Sequence, residues 1–140
     1  MTRVVRAVID VNVLVSAVRT PNGLCGRLLQ AAIGGRWQPV VSPMLFEELE
    51  DVLARPAFRD VIGEEAIDRF LAGLLAIVEW VEDPKGVAAA VSRDPDDDYL
   101  VALANSARAD LLLSGDRDLT EIADPPLPIE TPGQFLQRLE

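Results

Sequence analysis

The stretch VVRAVIDVN at residues 4–12 decides the fold. Residues 4–9 are mainly β-branched or apolar, which is typical of a buried strand. The strand ends at Asp10, and Asn12 is placed to cap a helix that continues through Val18. A buried strand followed at once by a helix is the pattern of an α/β protein.

The same alternation of short apolar strands and helices continues along the chain. Further strands are predicted at 40–41, 80–81, 111–113 and around Ile129. Helices are predicted at 24–33, 43–54, 64–78, 97–106 and 118–122, and after Thr131-Pro132. Because such strands are usually parallel and covered on both faces, we expect a three-layer α/β/α sandwich with a central, mostly parallel sheet. At this length, residues 1–140 are expected to form a single domain.

The composition excludes several kinds of chemistry. The chain has no histidine and one lysine, Lys85, so it has no Ser-His-Asp triad, no His-ligated zinc and no P-loop. The lone Cys25 suits a reducing compartment, and no apolar run approaches about 20 residues, so we expect a cytoplasmic protein without a membrane segment. The formal net charge of −10 would repel nucleic acid unless something offsets it.

Two acidic residues follow predicted strands. Asp10 comes directly after the first strand, and Asp116 follows the strand at 111–113 after two small residues. Sites in parallel sheets lie at the carboxyl ends of the strands, which makes both acids candidates. The alternative is that each simply caps the helix that follows it.

A third candidate lies on the predicted helix that starts after Ser42-Pro43. Helical phase places Glu48 at the edge of the apolar stripe, whereas Glu47 points almost directly away from it. Glu48 is therefore the better placed of the two to reach a crevice beside the core. The alternative is that both are surface acids near a helix start.

The run RDPDDDY at 93–99 carries the densest charge in the chain. Helical phase turns Asp97 toward the core and Asp98 outward, although either is a candidate ligand. A calcium loop is excluded because Tyr99 stands where glycine is needed and Asn105 where glutamate is needed. A solvated acidic cap remains the alternative.

Parallel topology would bring these four acids to one rim of the sheet. Four neighbouring carboxylates repel each other, and neither histidine nor a nearby lysine is available to compensate. A hard divalent cation with oxygen ligands, Mg²⁺ or Mn²⁺, is the natural occupant of such a site. The four candidate ligands are Asp10, Glu48, Asp97 and Asp116.

Four stretches also carry a resemblance to a known family. They are VIDVNVLVSA at 8–17, SPMLFEELEDVLARP at 42–56, RDPDDDYLVALA at 93–104 and ADLLLSGDRDL at 109–119. In order and spacing they resemble the PIN-domain ribonucleases, above all the small stand-alone bacterial toxins of toxin–antitoxin modules. The chain departs from the family pattern at two positions. Val11 stands where the family often has Thr or Ser, and Ser114 stands where Thr is commoner. These differences remove or shorten a hydroxyl without deleting an acid.

The resemblance implies a metal-dependent endoribonuclease that uses Mg²⁺ or Mn²⁺ to hydrolyse RNA phosphodiester bonds. The family's acids map onto Asp10, Glu48, Asp97 and Asp116, with Asn12 and Ser114 as supporting residues, Asp118 as an auxiliary acid and Asp98 beside the third acid. It further implies a cognate antitoxin protein and a homodimer or higher homo-oligomer.

Arginine binds phosphate through two hydrogen bonds, which makes Arg93 and Arg117, beside the acidic motifs, candidates for contacts with the RNA backbone. The alternative for both is an ion pair with a neighbouring aspartate.

Two rival functions stay open. One is a catalytically silent PIN-like binding module, and the other is a receiver-like domain phosphorylated on aspartate, for which Lys85 stands in the wrong place.

Overall fold

The computed structural model describes residues 4–85 and 95–140, with the side chains from Asp98 onward in the second range. This part of the chain contains one five-stranded sheet. Its strands are β1 (Val5–Ile9), β2 (Trp37–Val41), β3 (Glu79–Trp80), β4 (Leu111–Leu113) and β5 (Ile129–Glu130). All pairings are parallel, and the order β3-β2-β1-β4-β5 places β1 at the centre.

Helices flank the sheet, and the α/β/α sandwich expected from the sequence is confirmed. They are α1 (Val11–Arg19), α2 (Leu24–Ile33), α3 (Pro43–Leu53), α4 (Pro56–Ile62), α5 (Glu64–Ile77), α6 (Pro95–Ser106), α7 (Arg117–Thr120) and α8 (Pro132–Leu139). Helix α6 packs on β1 and β4, while α2 packs on β2. Within the described ranges, no helix has the length and apolar character needed to span a bilayer.

The core is centred on β1 and β4. Ala7, Val8 and Ile9 are fully buried, as are Leu112 and Leu113. A parallel strand covered on both faces needs apolar side chains at consecutive positions, which is why these segments read as continuous apolar runs. The pairing of Ile9 with Leu113 brings the two strands to the same end of the sheet.

One element begins differently from the sequence expectation. Helix α1 is capped by Asp10, not by Asn12, because the Asp10 carboxylate accepts the Asn12 N–H and Asn12 already lies within the helix. An aspartate and an asparagine are about equally good caps, and residue type alone did not decide between them.

The structure has one strand longer than the sequence predicts and one helix that the sequence did not predict. Strand β2 starts at Trp37 and not near residue 40, because the buried Trp37 indole donates to the Leu28 carbonyl at 2.8 Å and packs edge-on against Phe135. Helix α4 was missed entirely. Pro56, which follows the helix predicted at 43–54, occupies the first turn of a new helix, where proline is favoured.

Arg6 of β1 joins three parts of the fold. Its guanidinium donates to Glu79 of β3, with Nε 2.9 Å from Oε1, and its Nη1 donates to the Ala107 and Arg108 carbonyls at 3.2 and 3.0 Å. Its side chain is 24% exposed. The guanidinium therefore satisfies carbonyls just beyond the end of α6 while pairing with a carboxylate across the sheet.

Replacing Arg6 by methionine should destabilise the protein by about 1–3 kcal/mol, because charge-assisted hydrogen bonds are lost and Glu79 is left without its partner. Urea unfolding measures the change. The matched control is Arg27→Met, which removes an ion pair with Glu140 whose two side chains are more than half exposed. That control should cost less than about 0.5 kcal/mol, and equal losses in the two variants would contradict the assignment.

Candidate active site

Asp10 lies at the carboxyl end of β1, where hydrogen bonds fix both carboxylate oxygens and the backbone N–H. Its Oδ1 accepts the Asn12 N–H at 3.1 Å, and its Oδ2 accepts the Ser114 hydroxyl at 2.8 Å. Its own N–H donates to the Leu113 carbonyl at 2.9 Å. The residue is only 6% exposed, so its carboxylate has one fixed orientation at the sheet edge.

Asp116 lies beyond the carboxyl end of β4 and caps α7. Its N–H donates to the Ser114 hydroxyl oxygen at 3.0 Å, and its Oδ1 accepts the Asp118 N–H at 2.9 Å. The buried Ser114 hydroxyl therefore donates to Asp10 and accepts from Asp116. Through this one side chain, the ends of two neighbouring strands hold two carboxylates together, and we call these residues the Asp10–Asp116 pair.

The electrostatics of the pair favour a cation. Burial raises the pKa of the Asp10 carboxyl, and the hydrogen bonds from Ser114 and the Asn12 N–H only partly offset this effect. The charge of Asp116 raises the Asp10 pKa further. In the ranges 4–85 and 98–140, no arginine or lysine forms a salt bridge with either acid.

These residues fit a hard divalent ion. Each Asp10 oxygen accepts one hydrogen bond and keeps a further lone pair, and oxygen ligands are those that Mg²⁺ and Mn²⁺ prefer. A cleft of about 320 Å³ opens beside the pair and is lined in part by Asn12, Ser16, Cys25 and Asp116. The cleft reaches Asp116 of the pair and has room for a phosphate group there.

The other two predicted ligands lie on helices, Glu48 on α3 and Asp97 on α6. Glu48 lies on α3 and is exposed, and its charge contributes to raising the pKa of Tyr99. Asp97 lies in α6, but its side chain falls outside the described residues. Among the described side chains, no three acidic or cysteine residues converge as a metal-binding group. The four-acid cluster thus stays a prediction, and the structure brings together its first and last members.

The predicted supporting residues differ in what they contribute to the site. Asn12 contributes its backbone N–H, while its side chain is exposed. Asp118 contributes its N–H to Asp116. Asp98, expected to face outward, is partly buried, which helical phase within α6 does not report because it takes no account of neighbouring segments. Arg117 is 88% exposed, with its Nε 4.0 Å from Glu121, and Arg93 lies outside the described residues.

Sequence reasoning missed one strand-end acid, Asp83. It follows β3 and accepts hydrogen bonds from Tyr99 and from the Met44 N–H at 2.6 and 3.1 Å. The same rule that singled out Asp10 and Asp116 applies to it. Asp83 precedes Pro84, however, and in the sequence an Asp-Pro dipeptide is typical of a strand breaker.

Comparison with known families and proteins bears on this geometry. The PIN-domain family model matches residues 6–118, which include β1, Asp10 and Asp116. An uncharacterized protein of Methanocaldococcus jannaschii, MJ1680, is 29% identical over 97% of this chain and 92% of its own length. The matched residues therefore extend well beyond the strand ends.

Solved structures show the same fold. PAE2754 from Pyrobaculum aerophilum superposes with a TM-score of 0.70 and 18% identity, covering 96% of this chain and 89% of its own. A chain of VapBC2 from Rickettsia felis, solved bound to a DNA fragment from the VapBC2 promoter, gives 0.59 and 15%, covering 90% and 98%. At these identities the likeness concerns the fold.

Replacing Asp10 by asparagine should stabilise the metal-free protein at neutral pH. Because the folded-state pKa of Asp10 is raised, ionising this carboxyl opposes folding, and the penalty disappears as pH falls through that pKa. Asparagine keeps one acceptor oxygen for the helix cap and carries no charge. Its amide nitrogen replaces the oxygen that accepts from Ser114, whose hydroxyl can turn to accept instead. We expect the Tm at pH 7.5 to rise by about 2–5 °C in EDTA.

The exposed Asp51→Asn on α3 serves as the control and should leave the Tm within about 1 °C. The gain from Asp10→Asn should shrink as the pH is lowered toward 4. A Tm that falls in the Asp10 variant at neutral pH would show that the ionised carboxylate stabilises the fold instead.

Proposed function

This chain belongs to the PIN-domain family, and from that premise we propose that it is a metal-dependent endoribonuclease that hydrolyses RNA phosphodiester bonds. The observation that carries the proposal is the buried Asp10 carboxylate, joined through Ser114 to Asp116 without a cationic partner among the described residues. Such a pair needs a cation, and a cation next to a cleft attracts phosphate.

Asp10 and Asp116 would hold Mg²⁺ or Mn²⁺, with Asp97 of α6 as the third ligand. When bound, such an ion lowers the pKa of water and offsets the charge that develops on the phosphate. Ser114 keeps the Asp10 carboxylate oriented, and the Asp118 N–H does the same for Asp116. Glu48, which is exposed on α3, would hold a water molecule or a second cation.

The exposed Arg117 would contact the RNA backbone, and Arg93 would do so from beside the acidic run. Arg117 lies 4.0 Å from Glu121, and both side chains are exposed. A pair of this kind contributes little to stability, so Arg117 can exchange it for phosphate at small cost.

We further propose that this ribonuclease is the toxin of a toxin–antitoxin pair. The structural likeness to VapBC2 supports an antitoxin partner, and the net charge of −10 supports a basic antitoxin segment over the acidic cleft. Self-association into a homodimer or higher oligomer is part of this proposal. A neighbouring short reading frame with a DNA-binding pattern would add support.

The rival functions have less support. Lys85 follows β3, which β2 separates from β1, so it lies away from the pair that a phospho-aspartate receiver would use. A catalytically silent binding module would keep the same fold and would differ only in lacking turnover. The cleavage experiment below therefore separates that module from a nuclease.

The purified protein should cleave a panel of structured RNAs in Mn²⁺ and lose that activity in excess EDTA. Asp10→Asn and Asp116→Asn should each lower the rate by about 100-fold or more, since the stabilisation that a bound ion gives amounts to several kcal/mol. Gel analysis of end-labelled RNA measures the rates. Cleavage that persists in EDTA, or full activity in both variants, would contradict the proposal. No cleavage under any condition would favour the catalytically silent module.

Glu48 can be tested against its neighbour. Glu48→Gln should slow cleavage by about tenfold, whereas Glu47→Gln should leave the rate within about twofold, because helical phase turns only Glu48 toward the core edge. Both residues are exposed on α3, so neither change should affect folding. Equal effects of the two substitutions would remove Glu48 from the site.

A further inference from the structure

A second group of polar side chains lies at the same edge of the sheet as the Asp10–Asp116 pair. Ser42 follows β2, Asp83 follows β3, and Tyr99 lies in the second turn of α6. The Tyr99 hydroxyl donates to Asp83 Oδ1 at 2.6 Å and lies 2.7 Å from the Ser42 hydroxyl oxygen. We call these three residues the Tyr99 cluster.

Backbone contacts hold the cluster rigidly in place. Ser42 is fully buried and caps α3, accepting the Leu45 N–H at 3.3 Å. The second oxygen of Asp83 accepts the Met44 N–H at 3.1 Å. Two strand ends and the start of α3 therefore converge on one tyrosine hydroxyl that belongs to a different helix.

The electrostatics agree with a tightly made cluster. Burial raises the pKa of the Asp83 carboxyl, but hydrogen bonds from Ser42, Tyr99 and the Met44 N–H outweigh burial and leave that pKa below its usual value. The pKa of Tyr99 is raised, first by burial and then by the hydrogen bond to Asp83 and the charges of Asp83 and Glu48. The tyrosine is thus a neutral donor and Asp83 an ionised acceptor at neutral pH.

The position of Tyr99 along α6 links the Tyr99 cluster to the third predicted metal ligand. Asp97 precedes Tyr99 by two residues, a rise of about 3 Å along a helix axis. The C-terminal part of α6 is held against the sheet by the buried Leu100, Leu103 and Ala104. Tyr99 directly follows the first turn of α6, residues 95–98, and its hydroxyl ties that end of the helix to Ser42 and Asp83 beyond the ends of β2 and β3.

We propose that Tyr99, held by Ser42 and Asp83, is a positioning residue that fixes the first turn of α6 and thereby sets the third acid against the Asp10–Asp116 pair. The inference rests on the proposed function and deepens it. Groups that orient metal ligands without touching the metal typically change metal affinity by about 10–100-fold when they are removed. Tyr99 acts on the geometry of the site and not on the reacting atoms.

Tyr99→Phe removes only the hydroxyl. In the full-length protein we expect Mn²⁺ binding, measured by calorimetry, to weaken by about tenfold. RNA cleavage should recover most of its rate at saturating Mn²⁺, which separates the metal requirement from turnover. In metal-free protein, hydrogen exchange should accelerate at the amides of 99–102, whose helical acceptors are the carbonyls of 95–98.

The matched control is Ser106→Ala, which removes a hydroxyl from the other end of α6, where it donates to the Leu103 carbonyl at 3.1 Å. That change should leave Mn²⁺ affinity within about twofold of the wild-type value. Asp83→Ala should reproduce the effect of Tyr99→Phe, whereas Asp83→Asn, which keeps an acceptor oxygen, should largely restore it. Combining Tyr99→Phe with Asp83→Ala should weaken binding no more than the stronger single change.

The outcomes separate this inference from the proposed function. Unchanged Mn²⁺ affinity and unchanged exchange in Tyr99→Phe, with or without a lower Tm, would reduce the cluster to a structural role and overturn the inference while the proposed function stands. Wild-type protein that binds no Mn²⁺ would overturn both. Weaker binding and faster exchange in Tyr99→Phe and Asp83→Ala, but not in Ser106→Ala, is the result expected.

Discussion

The arrangement of the candidate site depends on one buried carboxylate, that of Asp10. Asp10 ends the central strand, caps the first helix and accepts the hydroxyl of Ser114 from the neighbouring strand. A charge in this position costs folding free energy, because burial raises the pKa of the carboxyl. A serine or asparagine would cap the helix without that penalty. The penalty therefore suggests a functional role, which binding of a divalent cation would supply.

Ser114 links the Asp10 carboxylate to a second acid, Asp116. Its hydroxyl bridges the ends of β1 and β4, so the register of two strands sets the distance between Asp10 and Asp116. The net charge of −10 then has two components, a local surplus at this edge and a surface excess elsewhere. A bound divalent ion would neutralise the local surplus and would allow an acidic protein to approach an RNA backbone.

Sequence alone was sufficient for the central strands and for the acids at their ends, because apolar runs and strand-end polarity are local signals. It was not sufficient for Asp83 and Tyr99, which are joined only by folding: one looks like a strand breaker and the other like part of an amphipathic helix. Helix α4 was missed for a related reason, since Pro56 both ends one helix and starts another. Interactions between distant segments decide these features, and periodicity does not report them.

The central claim is that the Asp10–Asp116 pair binds a divalent cation. The most direct test is anomalous diffraction at the manganese edge from crystals of the full-length protein grown with Mn²⁺, with Asp116→Asn crystals as the comparison. The account predicts an anomalous peak contacting a carboxylate oxygen of Asp10 in the wild type and none in the variant. Well-ordered crystals with no manganese at the pair, or with manganese bound only elsewhere on the protein, would contradict it.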